Sequence, residues 1–395
     1  MGKTAVFIVK GDEFKGLEGE AAARVMRRLF REDSETPDIL EVAKERPLRR
    51  KDLLEYKEYD VFVIIYGILF LTREGINVLS DIAKNSREFS VIAPVSNESK
   101  LPHQKSAPPF LYQTPSVFRW AAEGVYREFG DAVKEVDEID DFCLALRKDS
   151  LDDLPEGLDL IGLPQAIKER GMKCGIARGV YGHRYGNTYE SGREDLMAHV
   201  PLDAREILDI GAARGLFGER LKKRQTCSVT GVDMESDMIA VASDRLDNVL
   251  CGDIEEVLDK GLLGHYDCIV CGDILEHLRN PWRVVRMLKG HLKKGGLFVA
   301  SSPNIMNWAI LLDQLHGRWD YVPFSILSGT HIRFFTKQTF VELFQGAGYG
   351  IKEVHLQSFG IPPRGAEFIA TVRKLGDSIS EEELRAHEIM IVAQA

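Results

Sequence analysis

Between Glu206 and Ser301 the chain repeats one unit: a short apolar run, a turn, and a stretch of helical periodicity. The apolar runs are Glu206–Ile210, Ser228–Asp233, Asn248–Cys251, Tyr266–Gly272 and Gly296–Ser301. The helical stretches between them are Leu216–Lys223, Ser236–Asp244, Ile254–Lys260 and Trp282–Leu292. A strand that is short and apolar at nearly every position has both faces covered. Alternation with helices therefore predicts an α/β unit whose parallel sheet is clothed on both sides. "LKKGGLF", Leu292–Phe298, reads as a helix end turning directly into a strand. A further helix is expected at Lys337–Gln345, and strands at Lys352–Gln357 and Glu388–Ala393.

The first half also reads as α/β, less cleanly. "TAVFIVKG", "DVFVIIYGILF" and "FSVIAPVSN" look like buried strands, and "EGEAAARVMRRLFRE" and "REGINVLSDIAKN" like helices. The polar stretch Tyr189–Leu208, with Gly192 and Pro201, suggests a boundary, giving two domains at 1–195 and 200–395.

A formal net charge of −10 argues against nucleic acid as the main partner. The longest apolar run, Val61–Leu71, is too short for a membrane span and suits a buried strand. The N-terminus meets an acidic segment too early for a secretory signal. Six cysteines are scattered along the chain, and the Cys268/Cys271 pair sits inside a strand pattern where a redox or zinc motif would be buried. The expectation is a reduced, cytoplasmic protein.

The stretch "EILDIGAARGLFGERL" carries the first chemistry. Its glycines, Gly211 and Gly215, are spaced D-x-G-x-x-x-G, and Ala213 stands where a dinucleotide fingerprint needs its second glycine. The next strand ends at Asp233, where a carboxylate can accept both hydroxyls of a ribose. The third leads to Asp253, placed to accept from an adenine amino group. These positions all fall at carboxyl ends of strands, where open α/β sheets bind ligands.

On "LDIGAARG", "GVDMES", "CGDIEEV", "YDCIVCGDILEHLRNP" and "LKKGGLFVASSPN", in that order, residues 204–395 resemble the class I S-adenosylmethionine-dependent methyltransferases. The resemblance implies a Rossmann-like sheet of seven strands, the last antiparallel, and S-adenosylmethionine as cofactor. It places Asp209, Gly211, Ala212 and Gly215 around the methionine part, Asp233 and Met234 at the ribose and Asp253 and Ile254 at the adenine, with Asp273 completing the cofactor set.

A hydroxyl acceptor has to lose a proton to become a good nucleophile, and His277 and His331 are the candidate bases. The D-x-x-E-H spacing of Asp273, Glu276 and His277, with His331 as a further donor, looks like the E-x-x-E-H set of ubiquinone-pathway and small-RNA terminal methyltransferases. That set uses a divalent metal to acidify a hydroxyl. Asp273 is shorter than the Glu it replaces, so a metal-free base is the preferred expectation. The aromatic segment Asn304–Phe324 reads either as a helix packed on the sheet or as a lid whose Trp308, Trp319 or Tyr321 stacks on the acceptor.

In the first half, "VIAPVSNESKLPHQ", "VDEIDDFCLALRKDSL" and "AIKERGMKCGIARGVYGHRYGNTYESG" resemble the family 2 glycosyltransferases of the GT-A fold. The family's metal-binding D-x-D would fall at Tyr66-Gly67-Ile68, where no carboxylate stands. Asp159 and His183 match family positions, while the second member of the acidic pair falls near Gly162. The resemblance therefore implies a truncated, inactive glycosyltransferase-like domain. The combined expectation is an O-methyltransferase acting on a saccharide, glycan or related small hydroxyl compound. The alternatives are a bifunctional glycosyltransferase/methyltransferase and a non-catalytic glycan- or partner-binding scaffold.

Overall fold

The computed structural model describes residues 3–11, 14–31, 39–40, 48–152, 154–185, 192–323 and 325–395. The chain forms two compact units, Met1–Gly186 with Arg318–Gly329, and Asn187–Gly317 with Thr330–Ala395. The first unit is thus discontinuous in sequence, whereas composition suggested two continuous domains. Arg318 donates to Ser116 Oγ at 3.0 Å, and Asp320 pairs with Arg28. Part of the expected boundary stretch, Tyr189 to Ser191, lies outside the described residues, as does Phe324.

The first unit is built on an eight-stranded mixed sheet. Its strands are β1 (Thr4–Val9), β2 (Ile39–Leu40), β3 (Val61–Tyr66), β4 (Leu69–Phe70), β5 (Phe89–Ser96), β6 (Val133–Val136), β7 (Cys143–Arg147) and β8 (Lys173–Arg184). They run in the order β2-β1-β3-β7-β5-β8-β4, with β6 added alongside β8. β7 is antiparallel to both neighbours, while β1/β3 and β5/β8 are parallel. The apolar run at Val61–Leu71, read as one strand, is two: Gly67 takes φ +79° and breaks it between β3 and β4. A side chain there would be strained, so glycine makes the break cheap. The helix Arg73–Asn85 starts where expected because Thr72 caps it, accepting from Gly75 N at 3.0 Å.

The second unit has seven strands, β9 (Glu206–Ile210), β10 (Ser228–Asp233), β11 (Asn248–Cys251), β12 (Tyr266–Gly272), β13 (Leu292–Pro303), β14 (Gly350–Ser358) and β15 (Ala386–Gln394). Their order is β11-β10-β9-β12-β13-β15-β14, and the last strand in sequence, β15, is antiparallel to both its neighbours. This is a Rossmann-like sheet with a topological switch between β9 and β12, and the crevice outside the carboxyl ends of those strands is where such sheets take ligands. Leu208, Ile269 and Phe298 bury one face and Ile207, Val270 and Val299 the other. All six cysteines are free thiols, and burial pushes Cys268 up to about 12. No helix among the described residues is long and apolar enough to cross a membrane.

Candidate cofactor and acceptor site

The glycine turn after β9 is held by backbone geometry that few residues tolerate. Gly211 and Gly215 take φ +78° and +77°, and Ala213 takes φ +46°. A Cβ on Gly211 would lie 2.2 Å from the Ile274 side chain, so only glycine fits beneath the residue after Asp273. Gly211 N and Ala212 N both donate to Val232 O, at 2.8 and 3.1 Å, which pins the turn to the end of β10.

Asp233 completes the clasp. One carboxylate oxygen accepts from Ala213 N at 2.8 Å and the other from Glu235 N at 3.0 Å. Each oxygen has further acceptor capacity, and the residue is only half-buried. Met234, next in sequence, is exposed. Asp253 caps the helix Ile254–Asp259 by accepting from Glu255 N at 2.9 Å, and its other oxygen meets Arg279 at 2.7 Å. Ile254 is buried.

Asp209, the penultimate residue of β9, is buried, and its Oδ2 has no hydrogen-bond partner. Burial, with the nearby Asp233 charge, pushes its carboxyl up to about 7. A buried carboxylate oxygen left without a donor is costly unless a ligand supplies one. An α-ammonium group, such as the one on the methionine part of S-adenosylmethionine, is such a donor, so the residues present fit that cofactor.

A second polar cluster stands at the ends of β12 and β13. Asp273 takes φ +54°, a left-handed conformation that a non-glycine residue holds only when its surroundings fix it. Its N–H donates to Ser301 Oγ at 3.2 Å, Ser301 Oγ donates to Asp273 Oδ1 at 2.8 Å, and Arg193 holds Asp273 Oδ2 at 2.6 Å. Arg193 also pairs with Asp195 and Glu388 and donates to Ser301 Oγ. Burial and the Asp273 charge push Glu388 up to about 8. Residues 193, 195, 301 and 388 were not expected from the sequence. The one available signal was an acidic residue, Glu388, opening an otherwise apolar strand.

Glu276, in the short 3-10 turn Leu275–His277, is almost fully buried. Its Oε2 accepts from Ser302 Oγ at 3.3 Å, and its Oε1 has no hydrogen-bond partner. Burial and the Asp273 charge raise its carboxyl well above the ordinary range. Its backbone carbonyl accepts from Ile332 N and Arg333 N, at 3.0 and 2.9 Å, which brings the segment after Thr330 onto the turn. His331 Nε2 thereby comes within 4.0 Å of Glu276 Oε1. The His277 and His331 rings meet edge to face, with centroids 4.7 Å apart. His277 Nδ1 donates to Thr330 O at 3.2 Å, which leaves the lone pair of the neutral ring on Nε2.

One ligand atom each of Glu276, His277 and His331 lies within 4.8 Å of the others. Asp273 is not a member of that group, because Arg193 and Ser301 hold its carboxylate. Trp308 is buried, and its ring lies where a Cβ on Gly365 would meet it at 2.9 Å. It is therefore packed under the helix Pro363–Arg373. Trp319 and Tyr321 fall in the segment that belongs to the first unit.

In the first unit, the residues matching the glycosyltransferase pattern are engaged internally. Asp159 caps a 3-10 turn by accepting from Ile161 N at 3.0 Å, and Gly162 precedes the helix Leu163–Glu169. His183 is hydrogen-bonded to Tyr112 and stacked on Phe70. Tyr66 is buried at the end of β3.

Residues 181–354 match the family model described as "Methyltransferase domain". A ubiquinone biosynthesis O-methyltransferase of Coxiella burnetii is 33% identical over 138 residues, which are 33% of this chain and 57% of the relative. One of Pseudomonas aeruginosa is 29% identical over 135 residues, again 33% and 57%. The chain thus spans little more than half the length of these curated relatives. Among solved structures, an S-adenosylmethionine-dependent methyltransferase from Archaeoglobus fulgidus is similar over 53% of this chain and 95% of its own, at 19% identity and a TM-score of 0.39.

Proposed function

We propose that the class I S-adenosylmethionine-dependent methyltransferase domain in the C-terminal half transfers the cofactor's methyl group to a hydroxyl oxygen. The observation that carries the cofactor reading is Asp209: a buried carboxylate oxygen without a donor, under a glycine turn at the switch point of the sheet. The bound cofactor supplies an already activated methyl group. The protein's share is to bind, to orient and to take a proton. Asp209 and the Gly211–Gly215 turn hold the methionine part, Asp233 and Met234 the ribose, and Asp253 and Ile254 the adenine. Asp273 shapes the floor of the site through Arg193 and Ser301.

His331 takes the acceptor's proton, with Glu276 at 4.0 Å and the His277 ring packed on it edge to face. The unpartnered Glu276 Oε1 favours a second reading, in which Glu276, His277 and His331 hold a divalent ion that would acidify the hydroxyl. Oxygen as the acceptor atom is supported by the names of the curated relatives. A saccharide or glycan as the acceptor rests on the likeness of residues 61–192 to family 2 glycosyltransferases. On this reading that unit no longer transfers sugar, because Tyr66-Gly67-Ile68 offers no carboxylate to a metal.

Calorimetry of the full chain with S-adenosylmethionine, followed by methyl transfer to a panel of phenols and glycans with and without chelator, tests the proposal. Absence of cofactor binding would leave a scaffold. Activity lost to chelator and restored by magnesium or manganese would select the metal reading. Manganese-dependent sugar transfer by the intact protein would make it bifunctional.

A further inference from the structure

A second group of convergent ligands lies away from the carboxyl ends of the strands. Glu353 and His355 are two residues apart on β14, the edge strand of the second sheet, so they share a face. His355 Nε2 donates to Glu353 Oε2 at 2.7 Å. His199, in the turn that follows the helix Glu194–Met197, brings its Nδ1 to 3.1 Å from the same oxygen. The two rings lie 4.5 Å apart between centroids. The three ligand atoms sit within 4.8 Å of one another.

Two imidazoles and a carboxylate converging from two elements are a donor set for zinc-class ions. Bonds of about 2.0–2.1 Å in tetrahedral geometry put neighbouring ligand atoms about 3.3 Å apart. The two separations from Glu353 Oε2, 2.7 and 3.1 Å, are slightly tighter than that, so a small outward movement of the Glu353 side chain makes room for an ion. Glu353 and His355 are both about half exposed, at 50% and 44% of their side-chain surface, which leaves the fourth position to water.

We propose that His199, Glu353 and His355 form a zinc-binding staple that fixes the Arg193–His199 segment to β14. The ion takes the place of the hydrogen bonds to Glu353: each imidazole ligates through the nitrogen that now faces Glu353, as the neutral tautomer with its single proton on the other nitrogen, and any further proton passes to solvent. The same segment is already tied to this strand once, by Gln357 donating to Asp195 Oδ2 at 3.0 Å. It also carries Arg193, which grips Asp273 and Glu388. The staple is a structural site and does not depend on the proposed methyl transfer.

The test is titration of the chelator-treated full-length protein with zinc, in wild type and in His199→Ala, His355→Ala and His331→Ala. One equivalent should bind in wild type and in His331→Ala, with a dissociation constant raised about 10-fold or more in each of the other two variants. Saturating zinc should raise the melting temperature of wild type by about 5 °C and leave that of His355→Ala unmoved. Cobalt(II) should give the intense visible bands of a tetrahedral site in wild type alone of the wild-type and His355→Ala pair. Wild-type affinity in both surface variants would overturn the proposal, as would loss in only one of them. So would an equivalent that disappears in His331→Ala while surviving in His199→Ala, or wild-type binding weaker than about 0.1 mM.

Discussion

The two units are both mixed α/β sheets, and they differ in what they leave unsatisfied at the ends of their strands. In the second unit Asp209 and Glu276 are buried carboxylates that each keep an oxygen without a hydrogen-bond partner. In the first unit the buried carboxylate near the strand ends, Asp140, accepts from Ser99 Oγ, Lys100 N and Arg184. Asn97 there accepts from Arg184 N and donates to Arg184 O, at 2.7 and 3.1 Å, and Gln104 is spent on Pro94 O and Asp140 N. A polar residue tied to its own backbone stabilises a loop, whereas a buried polar atom held without a donor waits for a ligand. On the proposed function, the contrast between these carboxylates fits methyl transfer in the second unit, while the first unit also holds buried atoms without a hydrogen-bond partner, Ser150 Oγ and Asp320 Oδ2.

The largest effect that could break this contrast is in turnover. His331→Ala should lower methyl transfer by about 10²–10⁴-fold with cofactor affinity near wild type. His103→Ala, which removes an exposed bond to Glu138 O in the first unit, should leave the rate within a factor of two or so. Equal losses in the two variants would mean that the first unit takes part in the chemistry. Full activity in His331→Ala would remove the base and the metal together.

The next effect is on stability, where the two units should respond to pH with opposite sign. Burial lowers His183 to about 4. The unfolded histidine, near 6.5, binds a proton that the folded one refuses, so stability present above about pH 6.5 is lost as pH falls toward 4. The shift corresponds to ~3 kcal/mol. Asp209 and Glu388 are raised to about 7 and about 8, so their unfolded forms give up protons first. Their contribution is full near pH 4 and is lost as pH rises through 7 to 8. His387, lowered to about 4 by burial, opposes them in part. Hydrogen exchange on the intact protein at pH 7.5 and pH 5, corrected for intrinsic rates, should show β5 and β8 losing protection in acid while β9 and β12 hold or gain it. Parallel loss in both would sink the argument from buried groups.

How much of this could be read beforehand follows the same divide. β9, β10 and β12 run over the residues expected, because strands buried on both faces are apolar nearly from end to end and stop at a turn, and the half-exposed edge strand β11 also falls where expected. β13 begins earlier than expected, at Leu292, since Lys293, Lys294 and Gly295 read as a turn although they extend the strand. The helix Pro363–Arg373 has no counterpart in the sequence reading; Pro362 precedes it and Pro363 opens it, where a proline's missing N–H costs nothing. The glycine turn and the two histidines were legible as local motifs. The Arg193–Asp273–Glu388 cluster was not, because its members are distant in sequence and meet only once β12, β13 and β15 are side by side. The His199–Glu353–His355 group was hidden for the same reason.

A smaller effect, on cofactor affinity, sharpens the comparison. Asp233→Ala removes a carboxylate that closes the glycine turn and is free to accept more. S-adenosylmethionine should bind ~2–3 kcal/mol more weakly, by the usual worth of charge-assisted bonds to a ribose together with loss of the turn's clasp. Asp233→Asn, which keeps an oxygen for Ala213 N, should recover part of that. Unchanged affinity in a folded Asp233→Ala protein would move the ribose elsewhere.

The smallest effect is a fraction of a proton, and it tests the central claim that Asp209 awaits a cation. With its carboxyl at about 7, Asp209 is about half protonated at pH 7.0 in the free protein. An ammonium group placed against Oδ2 favours the charged form, so its pKa should fall well below 7 on binding. Binding S-adenosylmethionine at pH 7.0 should therefore release about half a proton, more at pH 6 and little at pH 8.5. Calorimetry in two buffers of different ionisation enthalpy reads this directly. Asp209→Asn should abolish the release at Asp209 and weaken binding, because an amide cannot pair with a cation as a carboxylate does. S-adenosylhomocysteine, which keeps the ammonium but lacks the sulfonium charge, should release protons as S-adenosylmethionine does. Release by S-adenosylmethionine alone would place the sulfonium, and not the ammonium, against Asp209. Release that persists in Asp209→Asn would mean that the titrating group lies elsewhere, with Glu388, at about 8, next in line.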